Sequence, residues 1–390
     1  MKKALMNASV ASMIYKFNMN NIEILESLGY QVDVACNFGK ENPISQEQID
    51  DFKSILKKKY IRAIDTICPR NIFAIGKIVK AYKQLKRLAD MENYDLVHTQ
   101  SPIGGVVCRL AFRKARKKGT KVIYQAHGFH FYKGAPIQNW LIFYPIEKFC
   151  SRFTDVLITI NKEDYALAQK KMKAKKVVYV PGVGIDLEKS FDVSEDRRQQ
   201  LRRDVHIGDD DVLLFSVGEL NENKNHSVVI KALGYLCKQE QYKNVQYAIA
   251  GKGIMEKELK ELANSLGISD KVHLLGFRTD VADWYGASDA FVFPSHREGL
   301  SVSLMEAMAS GLPCVVSKIR GNADLVDEGK GGFLFGSKNV EECKKSLLEV
   351  LNEGSKEIQS LGKYNQIKVK KFGLAEVIRI NKDIYCGEKY

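Results

Sequence analysis

Two acidic side chains eight positions apart, Glu298 and Glu306, carry the strongest chemical signal in this sequence. They stand in Pro294-Ser295-His296-Arg297-Glu298-Gly299-Leu300-Ser301-Val302-Ser303-Leu304-Met305-Glu306-Ala307-Met308-Ala309-Ser310-Gly311-Leu312-Pro313, directly after the apolar run Ala290 to Phe293. Gly299 permits a tight turn, Ser301 or Ser303 is suited to cap a helix, and Gly311-Leu312-Pro313 ends that helix. The pattern therefore sets one carboxylate on a loop, unpaired amides at a helix start, and a second carboxylate about a turn further in. Carboxylates accept hydrogen bonds from sugar hydroxyls, and helix-start amides attract a diphosphate. The plain alternative is a surface loop charge at Glu298 and a solvent-facing Glu306.

Two further segments follow apolar runs. Gly218-Glu219-Leu220-Asn221-Glu222-Asn223-Lys224-Asn225 combines a glycine, a helix start and a cation, which together suit a phosphate. Taken alone it is equally an ordinary turn with a solvated lysine. Ala250-Gly251-Lys252-Gly253 resembles a phosphate turn but lacks the third glycine of the dinucleotide fingerprint.

These segments need a scaffold, and the apolar pattern supplies one. The first half alternates short apolar runs (Ala4 to Ser9, Tyr30 to Cys36, Leu96 to Thr99, Val122 to Ala126, Val156 to Ile160, Val177 to Val180) with helical stretches over Ile14 to Leu28, Ile72 to Ala89, Pro102 to Lys117 and Ile137 to Cys150. The second half restarts the rhythm at Val212 to Val217 and Val245 to Ala250, and continues through Val272 to Leu275, Ala290 to Phe293, Pro313 to Val316 and Phe333 to Phe335. Such alternation predicts α/β, with two doubly wound, mostly parallel sheets. The charged, weakly apolar stretch Asp186 to Asp211 marks the boundary. We expect domains over 1–186 and 187–372, with 373–390 a helix returning to the first. Two such domains are expected to face a cleft at their strand carboxyl ends.

Composition excludes several classes. The chain has 390 residues, 45% of them apolar and 27% charged, as in an ordinary globular protein. Its eight cysteines form no C-x-x-C pair and no zinc-finger spacing. No run nears the ~20 apolar residues of a membrane span, and the amino terminus lacks the apolar core of a signal peptide. A cytoplasmic protein with reduced thiols is expected. The net charge of +13 is uneven: residues 1–190 hold 32 Lys and Arg against 17 Asp and Glu, a net +15, and the remainder −2. A basic first half suits an anionic lipid surface or a diphosphate-bearing substrate, or is a merely solvated face. No nucleic-acid partner is expected, because no recognition helix, zinc finger or RNP motif accompanies the charge.

The Glu298…Glu306 frame resembles the E-x7-E motif of the family-four retaining glycosyltransferases, the bacterial capsular and exopolysaccharide subgroup above all. Their fold is GT-B, two Rossmann-like domains. The likeness spans nearly the whole chain. Gly218 to Asn225 resembles the family's phosphate loop, Val180-Pro181-Gly182-Val183-Gly184-Ile185-Asp186 its hinge turn, and Ala126-His127-Gly128-Phe129-His130-Phe131-Tyr132 its histidine-bearing loop. The resemblance implies that Glu306 binds the ribose of a nucleotide sugar, UDP-linked above others. It implies that Glu298 contacts the transferred sugar, that Lys224 neutralises the diphosphate beside Gly218 and the Gly299, Leu300 and Ser301 backbone, and that Arg278, next to Phe277, lies near the base. His127 and Glu298 are the implied catalytic residues; Ser9 and His130 are placed on the acceptor side.

The chain departs from the family twice. Glu219 follows the phosphate-loop glycine where arginine or lysine is usual, and a carboxylate there repels a diphosphate; Arg297 and Lys252 are candidate substitutes. The first loop, Asn7-Ala8-Ser9-Val10-Ala11-Ser12, has no glycine. Transfer is expected to need no cofactor and no metal, since Asp209-Asp210-Asp211 reads as a solvated charge run. A lipid-linked saccharide is the expected acceptor, with possible anionic-membrane contact through the basic helix at Ile72 to Arg87. Competing expectations are a sugar-nucleotide epimerase of similar fold and a non-catalytic sugar-nucleotide-binding scaffold.

Overall fold

The computed structural model describes residues 2–188, 191 and 193–387. It divides into two units, Met1–Val183 with Ala375–Tyr390, and Gly184–Leu374. In the first, strands β1 (Lys2–Val10), β2 (Tyr30–Asn37), β3 (Arg62–Asp65), β4 (Leu96–Gln100), β5 (Lys121–Ala126), β6 (Val156–Thr159) and β7 (Lys176–Tyr179) form one sheet in the order β3-β2-β1-β4-β5-β6-β7. Every pairing is parallel. Helices α1 (Ala11–Phe17), α2 (Met19–Ser27), α3 (Gln46–Lys58), α4 (Ile75–Met91), α5 (Pro102–Lys117), α6 (Ile137–Cys150) and α7 (Lys162–Lys171) make the crossovers. Strands buried on both faces read as continuous apolar runs, which is why β1 and β5 are visible in sequence.

The single helix expected over Ile14 to Leu28 is instead α1 and α2. The break is Asn18, whose φ of −132° leaves the helix while its buried amide donates to the Met13 carbonyl and to Gln100 Oε1, both at 2.8 Å. Gly29, at φ +80°, lets the chain leave α2 in the left-handed region. The sequence reading passed over α3, β3 and α7. Helix α3 buries only Ile49, Phe52 and Leu56, and Ser45 with Gln48 caps it reciprocally.

The second unit opens with α8 (Glu195–Arg203), inside the stretch read as a polar linker. What holds α8 is a fully buried Arg202, which donates to the Ala287 carbonyl at 3.1 Å and pairs with Asp289 at 3.3 Å. Strands β8 (Val212–Val217), β9 (Val245–Ala250), β10 (Val272–Gly276), β11 (Ala290–Phe293), β12 (Cys314–Ser317) and β13 (Gly332–Phe335) follow, all parallel, in the order β10-β9-β8-β11-β12-β13. Between and after them run α9 (His226–Leu236), α10 (Glu256–Ser265), α11 (Val281–Ala287), α12 (Val302–Ala309), α13 (Arg320–Leu325), α14 (Val340–Leu351) and α15 (Ser355–Val369).

The last helix, α16 (Leu374–Cys386), belongs to the first unit from Ala375 onward. Val377, Ile384 and Tyr385 join that unit's core, and the Tyr385 hydroxyl lies 2.7 Å from His98 Nδ1. In each sheet the strand order reverses once, at β1/β4 and at β8/β11. Such reversals open a crevice at the strand carboxyl ends, where open α/β sheets bind ligands. Among the described residues no helix is long and apolar enough to cross a membrane.

Candidate active site

At the β8/β11 reversal the loops after the two strands are laced together. His296 N–H donates to the Asn223 carbonyl at 2.8 Å, and Asn223 Nδ2 donates to the Arg297 carbonyl at 3.0 Å. Asn225, in the left-handed region at φ +55°, donates to the carbonyls of Pro294 (3.1 Å) and Ser337 (2.7 Å). Asn tolerates this conformation better than other residues bearing a Cβ. The lacing fixes Lys224 against Glu298: Nζ lies 2.8 Å from Oε1 and 4.8 Å over the Phe293 ring. The lysine stem runs across Gly218, where a Cβ would come within 3.1 Å of its Cδ.

The glycines of Ala250-Gly251-Lys252-Gly253 have a packing explanation. A Cβ on Gly251 would collide with the Gly218 carbonyl, and one on Gly253 with the Leu220 carbonyl. Gly218 N–H donates to Ala250, and Leu220 N–H to Lys252, both at 3.0 Å. These glycines bring the β9 loop against the backbone of the β8 loop. Glu219, the unexpected acid, is exposed, as are Lys252 and Arg297.

Ser301 caps α12, its hydroxyl accepting from Leu304 N–H at 3.4 Å. The first amides of α12 precede its earliest intrahelical bond and leave a positive helix end beside Glu298. Gly299 is packed against Gly321, where a Cβ would strike the Gly299 carbonyl, and Arg320 Nε donates to the Glu298 carbonyl at 3.3 Å. Leu300 is buried beneath the turn. One helix turn on, Glu306 accepts from the Tyr285 hydroxyl at 3.2 Å. Burial, then the Glu306 charge, pushes the Tyr285 phenol well up, so it stays a proton donor. Tyr285 went unnoticed in the sequence, where it is one apolar position of a short helix.

Gly218, Lys224, Glu298, Gly299, Leu300, Ser301 and Glu306 thus share one end of the second sheet. Arg278 lies after β10, two strands from β8, with its guanidinium bonded to Asp280 at 2.8 and 2.5 Å. Its neighbour Phe277 is 71% exposed.

In the first unit His127 follows β5. Its Nε2 lies 2.5 Å from Gln100 Oε1, which also accepts from Asn18 Nδ2. The amide chain continues through Asn21 (2.8 Å) to Asn381 on α16 (2.9 Å). Burial pushes the imidazole down to about 4, so it is neutral at neutral pH. With Gln100 Oε1 as acceptor, Nε2 carries the proton and Nδ1 keeps its lone pair. Asn18 and Gln100 carried no sequence signal beyond being polar among apolar neighbours.

Ser9 lies at the β1/β4 reversal, buried, its hydroxyl accepting from Ser101 Oγ at 2.8 Å and from Gly104 N–H at 2.9 Å. His130 shares the His127 loop and stacks on Phe143, ring centroids 4.6 Å apart.

Comparison with known proteins decides the family. Residues 197–368 match the model of group 1 glycosyl transferases, and residues 19–189 that of Glycosyltransferase Family 4. A Bacillus subtilis protein described as 'Putative glycosyltransferase EpsD' is 34% identical over 99% of this chain and 97% of its own. The chain belongs to glycosyltransferase family 4. A second relative of this glycosyltransferase is the Escherichia coli UDP-Gal:alpha-D-GlcNAc-diphosphoundecaprenol alpha-1,3-galactosyltransferase, 28% identical over 95% of the chain and 93% of its own length. Among solved structures, Anabaena Alr3699/HepE in complex with UDP-glucose superposes with a TM-score of 0.75 at 19% identity, covering 99% of this chain and all of that one. A sucrose-phosphate synthase from Thermosynechococcus elongatus superposes with a TM-score of 0.76 at 17% identity, over 99% of each chain. This glycosyltransferase therefore has the GT-B architecture.

Proposed function

We propose that this glycosyltransferase moves a sugar from a UDP-sugar to a lipid-diphosphate-linked saccharide, with retention of anomeric configuration, in assembly of a bacterial capsular or exopolysaccharide. The observation that carries the reading is the Lys224–Glu298 pair held at the β8/β11 reversal beside the amino end of α12. Without ligand the two charges answer each other. A bound nucleotide sugar exchanges that partner for two: its diphosphate takes Lys224 and the α12 amides, and a sugar hydroxyl donates to Glu298. Glu306, steadied by Tyr285, takes the ribose hydroxyls, and the exposed Phe277 ring offers a stacking face to the base. One relative whose name specifies UDP-Gal, and a structural neighbour crystallised with UDP and with UDP-glucose, support UDP as the nucleotide.

The leaving diphosphate is stabilised by Lys224 and by oriented amides that need no rearrangement during transfer. No metal is called for in this scheme. His127, neutral and with Nδ1 as an acceptor, receives a hydroxyl of the transferred sugar. An acceptor hydroxyl then attacks on the face the diphosphate leaves: the new glycosidic C–O bond forms as the bond to UDP breaks, and the hydroxyl proton passes to the departing phosphate oxygen. The diphosphoundecaprenol-linked substrate in the galactosyltransferase's name supports the acceptor class.

A thermal-shift screen with UDP-, GDP- and ADP-sugars tests the sugar-donor reading: a UDP-sugar is expected to raise the melting temperature most, by mass action. No shift with any of the three rejects it. The anomeric coupling of the product, read by proton NMR, tests retention, and full activity in EDTA is the expected result for metal independence.

A further inference from the structure

A side-chain amide is nearly symmetric in shape, so only its surroundings decide which end donates and which accepts. The first unit buries four of them in a row leading to His127. His127 Nε2 meets Oε1 of Gln100, the last residue of β4, at 2.5 Å. Gln100 and Asn18 pair reciprocally: Asn18 Nδ2 donates to Gln100 Oε1 at 2.8 Å, and Gln100 Nε2 donates back to Asn18 Oδ1. Asn18 Oδ1 also accepts from Asn21 Nδ2 of α2 at 2.8 Å, and Asn21 Oδ1 accepts from Asn381 Nδ2 of α16 at 2.9 Å. Gln100 is 0% exposed and Asn18 1%, so bulk water cannot stand in for a lost partner.

One amide in the row has a partner with no freedom. Asn18 Nδ2 also donates to the Met13 carbonyl of α1 at 2.8 Å. A backbone carbonyl only accepts, so turning Asn18 over would set oxygen against oxygen. The order then propagates. With Asn18 fixed, a reversed Gln100 would face nitrogen to nitrogen and oxygen to oxygen, two repulsive contacts in place of two bonds. Gln100 therefore presents its oxygen to His127, and an acceptor there requires the proton on Nε2. An amide nitrogen in that place would move the proton to Nδ1 and remove the lone pair that the proposed transfer uses. The far end of the row does not set the direction. Asn381 Oδ1 is buried with no partner among the described residues, so α16 supplies a donor that follows the order already set at Met13.

We propose that Asn18 and Gln100 are positioning residues for His127: the Met13 carbonyl orients Asn18, Asn18 orients Gln100, and Gln100 holds the imidazole as its Nε2–H tautomer. The use of the free Nδ1 by the transferred sugar rests on the function proposed above; the order along the row does not.

Two-bond proton–nitrogen correlation spectra of the histidine rings at neutral pH test it, with the His127 signals assigned by their loss in His127→Ala. The wild type is expected to show the Nε2–H tautomer alone. Asn18→Leu leaves Gln100 nothing to be oriented by, and Gln100→Met removes the acceptor. Both are expected to move the Nε2 resonance from the proton-bearing toward the lone-pair range. Asn381→Leu, a similar loss at the far end, is expected to leave the wild-type tautomer. In UDP release from UDP-glucose and UDP-galactose, Asn18→Leu and Gln100→Met are expected to lower kcat about two- to tenfold with KM held within about twofold. The UDP thermal shift is measured on every variant as the check on folding. An Nδ1–H imidazole in the wild type, an unmoved tautomer in both Asn18→Leu and Gln100→Met, or the same shift in Asn381→Leu as in Asn18→Leu overturns the proposal. The expected tautomers in a protein that turns over no UDP-sugar would keep the positioning row and reject the sugar-donor reading.

Discussion

In the proposed function Lys224 and Glu298 are the residues on which the chemistry turns, and their mutual pairing predicts separate signatures for the two. Each side chain is about one-fifth exposed, at 20% and 17%, so the pair lies between a surface bridge and a buried one. Glu298→Ala removes a charged acceptor for a sugar hydroxyl. It is expected to cost about 1.5–3 kcal/mol of transition-state binding, roughly 10- to 150-fold in kcat/KM, with UDP affinity unchanged. Lys224→Met is expected to weaken UDP itself by a similar factor, read by calorimetry. If both variants transferred sugar at the wild-type rate, the pair would be structural only. His127 adds a test with a definite sign. Its imidazole titrates near 4 in the folded protein, so it stays neutral from pH 5 upward. His127→Ala is therefore expected to lower kcat while leaving the shape of the pH–rate profile between pH 5 and 9 unaltered; loss of a limb near pH 6.5 would contradict a neutral role.

At the scale of elements, the site depends on close backbone approach more than on side-chain bonds. Gly251 and Gly218 bring the β8 and β9 loops together, and a methyl group on Gly251 has no room. Gly251→Ala is expected to destabilise the second unit by upwards of about 2 kcal/mol, seen in the denaturation midpoint. Ser301→Ala loses a helix cap with a long, 3.4 Å bond and is expected to cost about 1 kcal/mol or less. The ordering of the two variants is the informative result, since equal effects would mean that Gly251 relaxes locally. Helix α8 shows how an element escapes pattern reading. Its residues, Glu-Asp-Arg-Arg-Gln-Gln-Leu-Arg-Arg, read as solvated charge, yet Arg202 is buried and Leu201 is 1% exposed.

For the whole molecule, three histidines, two of them buried (His98 and His226) and one half-buried (His127), make acid a destabiliser. Burial lowers His98 and His226 to about 3 and His127 to about 4, against an ordinary value of 6.5. The unfolded chain binds these protons first, so their contribution is complete above pH 6.5 and is lost as pH falls toward 4. The melting temperature is expected to drop through that window, and His226→Asn, which removes one titrating group from the second unit, is expected to flatten the slope. An unchanged slope would move the acid sensitivity elsewhere. The alternating apolar runs were enough to determine two doubly wound sheets and to put Glu298, Ser301 and Glu306 after a strand and around a helix start. Burial on both faces of a parallel strand forces continuous apolar stretches, and capping chemistry is local, so both are written in neighbouring residues. The pairing of Lys224 with Glu298, 74 positions apart, depends on β8 and β11 lying side by side. The amide chain from His127 through Gln100, Asn18 and Asn21 to Asn381 joins four distant segments, and the Arg109–Glu147 pair ties α5 to α6 over Tyr124. Tertiary structure alone decided these, because a hydrogen bond or a cavity is a property of separate pieces of chain brought within a few ångströms, and no local pattern records which pieces will meet.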